Sequence, residues 1–177
     1  MKGTSHRLNE LALTCDDLDQ YSRNINILMH GVPQSPGATE QNLTGHVVDL
    51  LNTNLGISLQ EQDLVTVHRL GRAATTSATS SQSATNTNHL KPSPIILQFA
   101  SRKQRNDVQI KRKFLKGKGF SLTEQLTQRK SLLLKKANQL VADRKIQSAW
   151  SHEGRILVKS SNRTILITSE DDLTRFQ

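Results

Sequence analysis

Residues 21–33 read Tyr21-Ser22-Arg23-Asn24-Ile25-Asn26-Ile27-Leu28-Met29-His30-Gly31-Val32-Pro33. Ile25, Ile27 and Met29 recur at period two, the spacing of a strand with one buried face. Asn26, Leu28 and His30 fall on the opposite face, and Gly31 and Pro33 end the strand. Upstream, Leu8, Leu11, Cys15, Leu18, Ser22 and Ile25 are spaced 3, 4, 3, 4 and 3, the a/d seam of a heptad. One stretch therefore closes a helix, opens a sheet and sets which residues of the first strand face outward. The seam is only about two and a half heptads long, and isolated helices of that length are marginal in water. Two readings stay open for it: a helix packed on its own domain, or the end of an oligomerising coiled coil.

Downstream, Leu43, Val47, Leu50, Leu51 and Leu55 place one apolar stripe on a helix over 40–55. Thr39 is the expected N-cap and Gly56 the expected stop. Leu64, Thr66, His68 and Leu70 alternate with Val65, Val67 and Arg69 in a second strand, ended by Gly71. Residues 73–93 are Ala, Thr, Ser, Asn and Gln with almost nothing large and apolar, so they read as a flexible insertion. A third strand covers 94–100 through Ile95, Leu97 and Phe99. Ser101 caps a basic helix over 102–116, whose inner face uses Val108, Leu115 and either Phe114 or Ile110. Gly117-Lys118-Gly119 is a turn, and Phe120, Leu122 and Glu124 alternate with Ser121 and Thr123 in a fourth strand. The order β, α, β, β, α, β is that of the ferredoxin-like RNA recognition motif.

A smaller unit follows. Thr127 starts a helix that ends near Asp143, with Leu133, Ala137, Leu140 and Val141 on one face. Short strands surround Trp150, Ile156–Val158 and Ile165–Ile167, with turns at Gly154 and Ser161-Asn162. Glu170 opens a last short helix. The expected class is α+β: a coiled-coil stump at 1–24, a ferredoxin-like motif at 25–126 and a small α/β terminal domain at 127–177.

The 177 residues carry 24 Lys/Arg and 15 Asp/Glu, a net charge of +9. From Arg102 to Lys145 there are 14 Lys/Arg against Asp107, Glu124 and Asp143, a net of +11, so the remainder is at −2. A block of that density points to a polyanion. The single cysteine, Cys15, rules out a disulfide within the chain. No apolar run approaches the length of a membrane span, and the N-terminal residues lack a signal-peptide core, so the expectation is a soluble intracellular protein. No phosphate-binding glycine motif, nucleophile with a base, or metal-ligand spacing is present, so neither catalysis nor a cofactor nor a metal is expected. Asp171 and Asp172 read as helix-start charges rather than paired acids.

Four stretches carry a family resemblance: Tyr-Ser-Arg-Asn running into a strand that ends His-Gly-Val-Pro, Val-His-Arg-Leu-Gly-Arg at 67–72, Pro-Ile-Ile-Leu-Gln-Phe at 94–99, and Gly-Lys-Gly-Phe-Ser-Leu-Thr-Glu at 117–124. In their order and spacing they resemble the first open-reading-frame protein of LINE-type retrotransposons (transposase-22-like), over roughly residues 8–177. The resemblance implies a coiled coil that trimerises through Leu8, Leu11, Cys15 and Leu18. It also implies non-sequence-specific grip on single-stranded RNA, or single-stranded DNA, between the recognition motif and the terminal domain. Packaging of element RNA into a ribonucleoprotein, nucleic-acid chaperoning, and a cytoplasmic or nuclear location follow from the same resemblance.

Ordinary RNA recognition motifs stack bases on exposed aromatics of their first and third strands. Here Leu28 holds the first-strand position, and Phe99 is the sole candidate on the third. Affinity is therefore expected from phosphate contacts. The candidates are Arg23, Arg69 and Arg72 at strand ends; Arg102, Lys103, Arg105, Lys111, Arg112 and Lys113 on the basic helix; Lys116 and Lys118 in the turn; and Arg155, Lys159 and Arg163 around the terminal hairpin. The rival reading is a protein-interaction and oligomerisation remnant that binds no RNA.

Overall fold

The computed structural model describes residues 2–33, 42–71 and 92–176, with side chains from residue 6 onward. Arg72, the Thr39 cap and all but the last two residues of the 73–93 insertion lie outside the described residues. The chain forms two units, 25–123, and 1–24 together with 124–177. The protein is mixed α+β, and its described strand pairings are antiparallel.

In the 25–123 unit the order is β1 (Asn26–His30), α2 (Leu43–Leu55), β2 (Leu64–Arg69), β3 (Ile95–Phe99), α3 (Arg102–Lys111) and β4 (Ser121–Glu124). Helix α1 (Lys2–Arg23) precedes them, and a 3-10 turn at Arg112–Leu115 prolongs α3. The sheet order is β2-β3-β1-β4, so β1 and β3 are central. Their alternation behaves as the sequence predicts: Ile27, Met29, Ile95, Leu97 and Phe99 enter the core with Val47, Leu51 and Val108. Gly56 ends α2 in the left-handed region (φ 59°), its N–H donating to Asn52 O at 3.0 Å. Ser101 Oγ accepts from Gln104 N at the start of α3.

Three details differ from expectation. The register slips between Leu64 and Thr66, so Leu64 faces Phe99 in the core while Thr66 and His68 lie on the opposite face beside Gln98 and Ile96. A bulge inverts the alternation, and period-two reading cannot foresee it. Ile110 and Phe114 are exposed, not part of the inner face of α3. Their place is taken by Arg105, which is 2% exposed. Its aliphatic stem suits the interior wall while its guanidinium bonds Asn106 Oδ1 at 3.1 Å.

The second unit places α4 (Gln128–Ala142) on one face of a three-stranded sheet, β5 (Ser148–His152), β6 (Arg155–Ser160) and β7 (Arg163–Ile167), followed by α5 (Asp171–Thr174). Leu133, Ala137 and Leu140 of α4 pack on Ile156, Val158 and Ile167. Thr127 caps α4, its hydroxyl accepting from Lys130 N. Asp172 accepts from Thr168 N and Oγ1, both at 2.8 Å, and from Ser169 N, which hold its carboxyl below the usual carboxylate range.

Helix α1 belongs with this unit, and the face it docks is not the heptad seam. Gln20 is 2% exposed; its Nε2 donates to Gln125 O at 3.0 Å and its Oε1 accepts from Thr127 N at 2.8 Å. Asp16 and Asp17 meet Arg129 and Lys130 at 3.6 and 2.9 Å. Leu8, Leu11 and Leu18 remain 63%, 61% and 67% exposed, and Cys15 is exposed beside them. The β5–β6 hairpin turns through Glu153 (φ 50°) and Gly154 (φ 72°), whose amides donate to the buried Glu124 carboxylate at 2.8 and 3.2 Å. A Cβ at Gly154 would sit 2.5 Å from Gln20 Cγ, so glycine is required there twice over.

Candidate nucleic-acid interface

The residues expected to meet phosphate divide by what their donors already do. Arg23 forms a bidentate pair with Asp19 at 2.8 and 3.0 Å, which raises the Arg23 pKa and lowers that of Asp19. Arg69 spends its guanidinium on three carbonyls: Val32 O and Ser93 O at 3.0 Å and Pro33 O at 2.8 Å. Lys111 donates to Gly56 O at 3.0 Å, completing the end of α2. Arg105 is buried, contrary to the exposure expected of it. These four serve the fold first.

Lys103, Lys113, Lys116 and Lys118 are exposed and Arg112 is partly so, and among the described residues they form no salt bridge. Arg102 is exposed at the start of α3. Arg112, Lys113 and Lys116 converge on an open cleft of about 710 Å³ whose lining also includes His30 and Phe120 and contains no carboxylate. The 3-10 turn gathers the three cations, and Gly117 and Gly119 (φ 82° and 84°) then bring the chain back to β4. Gly31 permits the return, since a Cβ there would lie 2.5 Å from Gly119 O. Lys113 Nζ also lies 5.4 Å from the Phe114 ring centroid. His30 bonds Thr123 Oγ1 at 2.8 Å, and burial pushes its imidazole below its ordinary pKa of 6.5.

The face of the four-stranded sheet away from the core carries Asn26, Leu28, His30, Thr66, His68, Ile96, Gln98, Ser121 and Thr123. Phe99 is buried, so this face presents neither an aromatic carbocycle nor a formal cation. The rings on this face are the imidazoles of His30 and His68.

In the second unit Arg155, Lys159 and Arg163 are all exposed. Register puts Arg155 and Lys159 on the sheet face opposite α4, in phase with Ser148, Trp150, His152, Leu157, Thr164 and Leu166. Arg163 has the parity of Ile165 and Ile167 and sits at the hairpin end. Trp150 pairs with Leu157, and Leu157 with Leu166, giving one apolar row across all three strands. In the sequence Trp150 marks only a strand. The row comes from cross-strand pairing, which the sequence of β5 does not signal.

Among the described residues, no three His, Cys, Asp or Glu side chains form a group able to hold a metal. None of the described helices is long and apolar enough to cross a membrane. Compared with protein-family models and with curated proteins, the chain matches none.

Proposed function

We propose that this chain binds single-stranded nucleic acid, RNA in preference, through its phosphates and with little regard to sequence. The observation that carries the reading is the convergence of Arg112, Lys113 and Lys116 on one open, carboxylate-free cleft. Cations without acidic partners release counterions when they meet phosphate, which is where the affinity of such binders arises. The β2-β3-β1-β4 sheet with two helices on one face is consistent with a ferredoxin-like RNA recognition motif. Among the described residues its open face offers no Phe, Tyr or Trp and only the imidazoles of His30 and His68, which favours grip over readout. In a LINE-type element this activity would package the element's RNA into a cytoplasmic or nuclear ribonucleoprotein and remodel its pairing. No catalytic residue, cofactor or metal enters the reading.

The test is a titration of unstructured RNA and duplex DNA at several salt concentrations. The expected result is tighter binding of the single strand and a log-affinity slope set by the number of phosphate contacts, about 0.7 each. Absence of RNA binding at low salt overturns the reading.

A second property is favoured by the exposed seam. Leu8, Leu11 and Leu18 stand clear of the protomer while the opposite side of α1 is docked. Association of these seams into a homotrimer would bury them as a and d positions. If RNA binding fails but association holds, the chain is an interaction module instead. Light scattering distinguishes the cases, with Leu11→Asp lowering the mass.

A further inference from the structure

The second unit contains a surface that phosphate contact does not explain. Its sheet has one face closed by α4 and another that is not part of that core. On the latter, Trp150, Leu157 and Leu166 stand directly opposite one another on three adjacent strands. Opposed side chains of this kind have Cβ atoms about 5 Å apart, so the three form a continuous apolar strip. Leu166 is 48% exposed and Trp150 and Leu157 are half-buried, so part of the strip meets solvent. Arg155 lies on one side of the strip, opposite His152, and Lys159 on the other, between Ser148 and Thr164. The eight residues of this face include no carboxylate.

We infer that this face is a base-stacking platform, on which a nucleobase of a single strand lies against Trp150 while Arg155 and Lys159 hold the phosphates flanking it. This rests on the single-strand reading above and assigns it a second surface with a different chemistry. Three properties select the ligand. A half-buried indole beside half-buried Leu157 and exposed Leu166 gives the row an aromatic and aliphatic surface suited to a flat, weakly polar partner, and every base has such a π-face. The cations two residues along β6 in each direction from Leu157 match a partner that is apolar at its centre and anionic at its edges. A peptide helix or strand with acidic flanks matches the charges as well, but it does not favour an aromatic plane at the middle of the row. The platform supplies base contact that the four-stranded sheet lacks, and stacking discriminates little between sequences.

Trp150 is the only tryptophan in the chain, so its fluorescence reads the platform alone. The experiment titrates the full chain with a uridine decamer, an adenosine decamer and an abasic phosphodiester decamer, following both Trp emission and the anisotropy of labelled RNA. The expected result is quenching by both RNAs and none by the abasic strand. Trp150→Ala should weaken binding of either RNA about tenfold. Trp150→Phe, which keeps a ring, should restore most of that loss, and far-UV circular dichroism should show both variants folded. RNA binding with unchanged Trp emission, and with equal affinity in Trp150→Ala, overturns the platform and leaves the phosphate cleft standing. Emission that depends on protein concentration without RNA marks the face as a self-contact and also overturns it. Failure of the wild-type chain to bind any RNA overturns the platform together with the single-strand reading.

Discussion

One helix from each unit shows two opposite ways of handling positive charge: α4 pairs its cations, and the end of α3 leaves them facing a cleft. By sequence, 25–123 holds 11 Lys/Arg and 5 Asp/Glu, a net of +6, and the other unit holds 13 and 10, a net of +3. The larger difference is in pairing. On α4, Arg129, Lys130 and Lys136 meet Asp16, Asp17 and Glu170. At the end of α3, Arg112, Lys113 and Lys116 meet no carboxylate among the described residues and face a cleft. Net charge is therefore a poor guide to where a polyanion lands; what matters is which cations lack a partner. Exposed ion pairs add little to stability, but they do neutralise the local field.

That contrast also shows how far sequence reading reached. The run from Arg102 to Lys145 looks like one basic block because only three acids lie within it. The unit boundary after Thr123 divides it, and acids more than thirty residues away in the chain, Asp17 and Glu170, come to its second half. Counting along a chain cannot see such partners. Strands and helices were legible where one periodicity ruled, as in 25–32, 43–55 and 95–99. The exceptions have local physical causes: a bulge that inverted β2, a buried arginine on α3, and a helix docked through Gln20 rather than through leucines. A polar residue that satisfies buried backbone groups is silent in any hydrophobicity pattern. So is Trp150, whose importance depends on residues seven and sixteen positions later.

The contrast can be broken most severely at Gly31. Gly31→Ala places a methyl against Gly119 O in a left-handed backbone (φ 85°), and should destabilise the cleft-bearing unit by about 3 kcal/mol. Amide exchange should rise in β1 and β4, and unchanged exchange there would show that the turn yields freely. Next in size is charge removal. Arg112→Ala, Lys113→Ala and Lys116→Ala together should lower the salt slope by about 2, and so the RNA affinity about a hundredfold at 0.1 M salt. The matched triple on α4, at Arg129, Lys130 and Lys136, should change affinity far less. Equal losses would erase the distinction between paired and unpaired cations.

Gln20→Ala leaves the buried Thr127 N–H without its acceptor and should cost about 1–3 kcal/mol, read as a lower thermal midpoint. No change in that midpoint would mean that α1 contributes nothing to its unit. The smallest effect is expected from pH. Burial depresses the folded-state pKa of His30, so the unfolded chain takes up that proton first. The contribution is intact above about pH 6.5 and is lost as pH falls through the depressed value. His30→Gln should flatten the slope of thermal midpoint against pH between 7 and 5. An identical slope in that variant would assign the acid sensitivity elsewhere.

The bond from Leu70 N to Pro94 O, at 2.7 Å, closes the base of the connection between β2 and β3. Arg69 reinforces it by gripping Ser93 O. Register between these strands is therefore secured at the neck, independently of what the chain between them spells. Lengthening a closed loop costs only about 0.6 kcal/mol per doubling, so a change in the length of the connection should disturb the two strands little. The neck is therefore a place to attach cargo: a ligation tag or a folded reporter spliced in between the two strands should leave the thermal midpoint nearly unchanged, because the Leu70–Pro94 and Arg69–Ser93 bonds keep the strands in step.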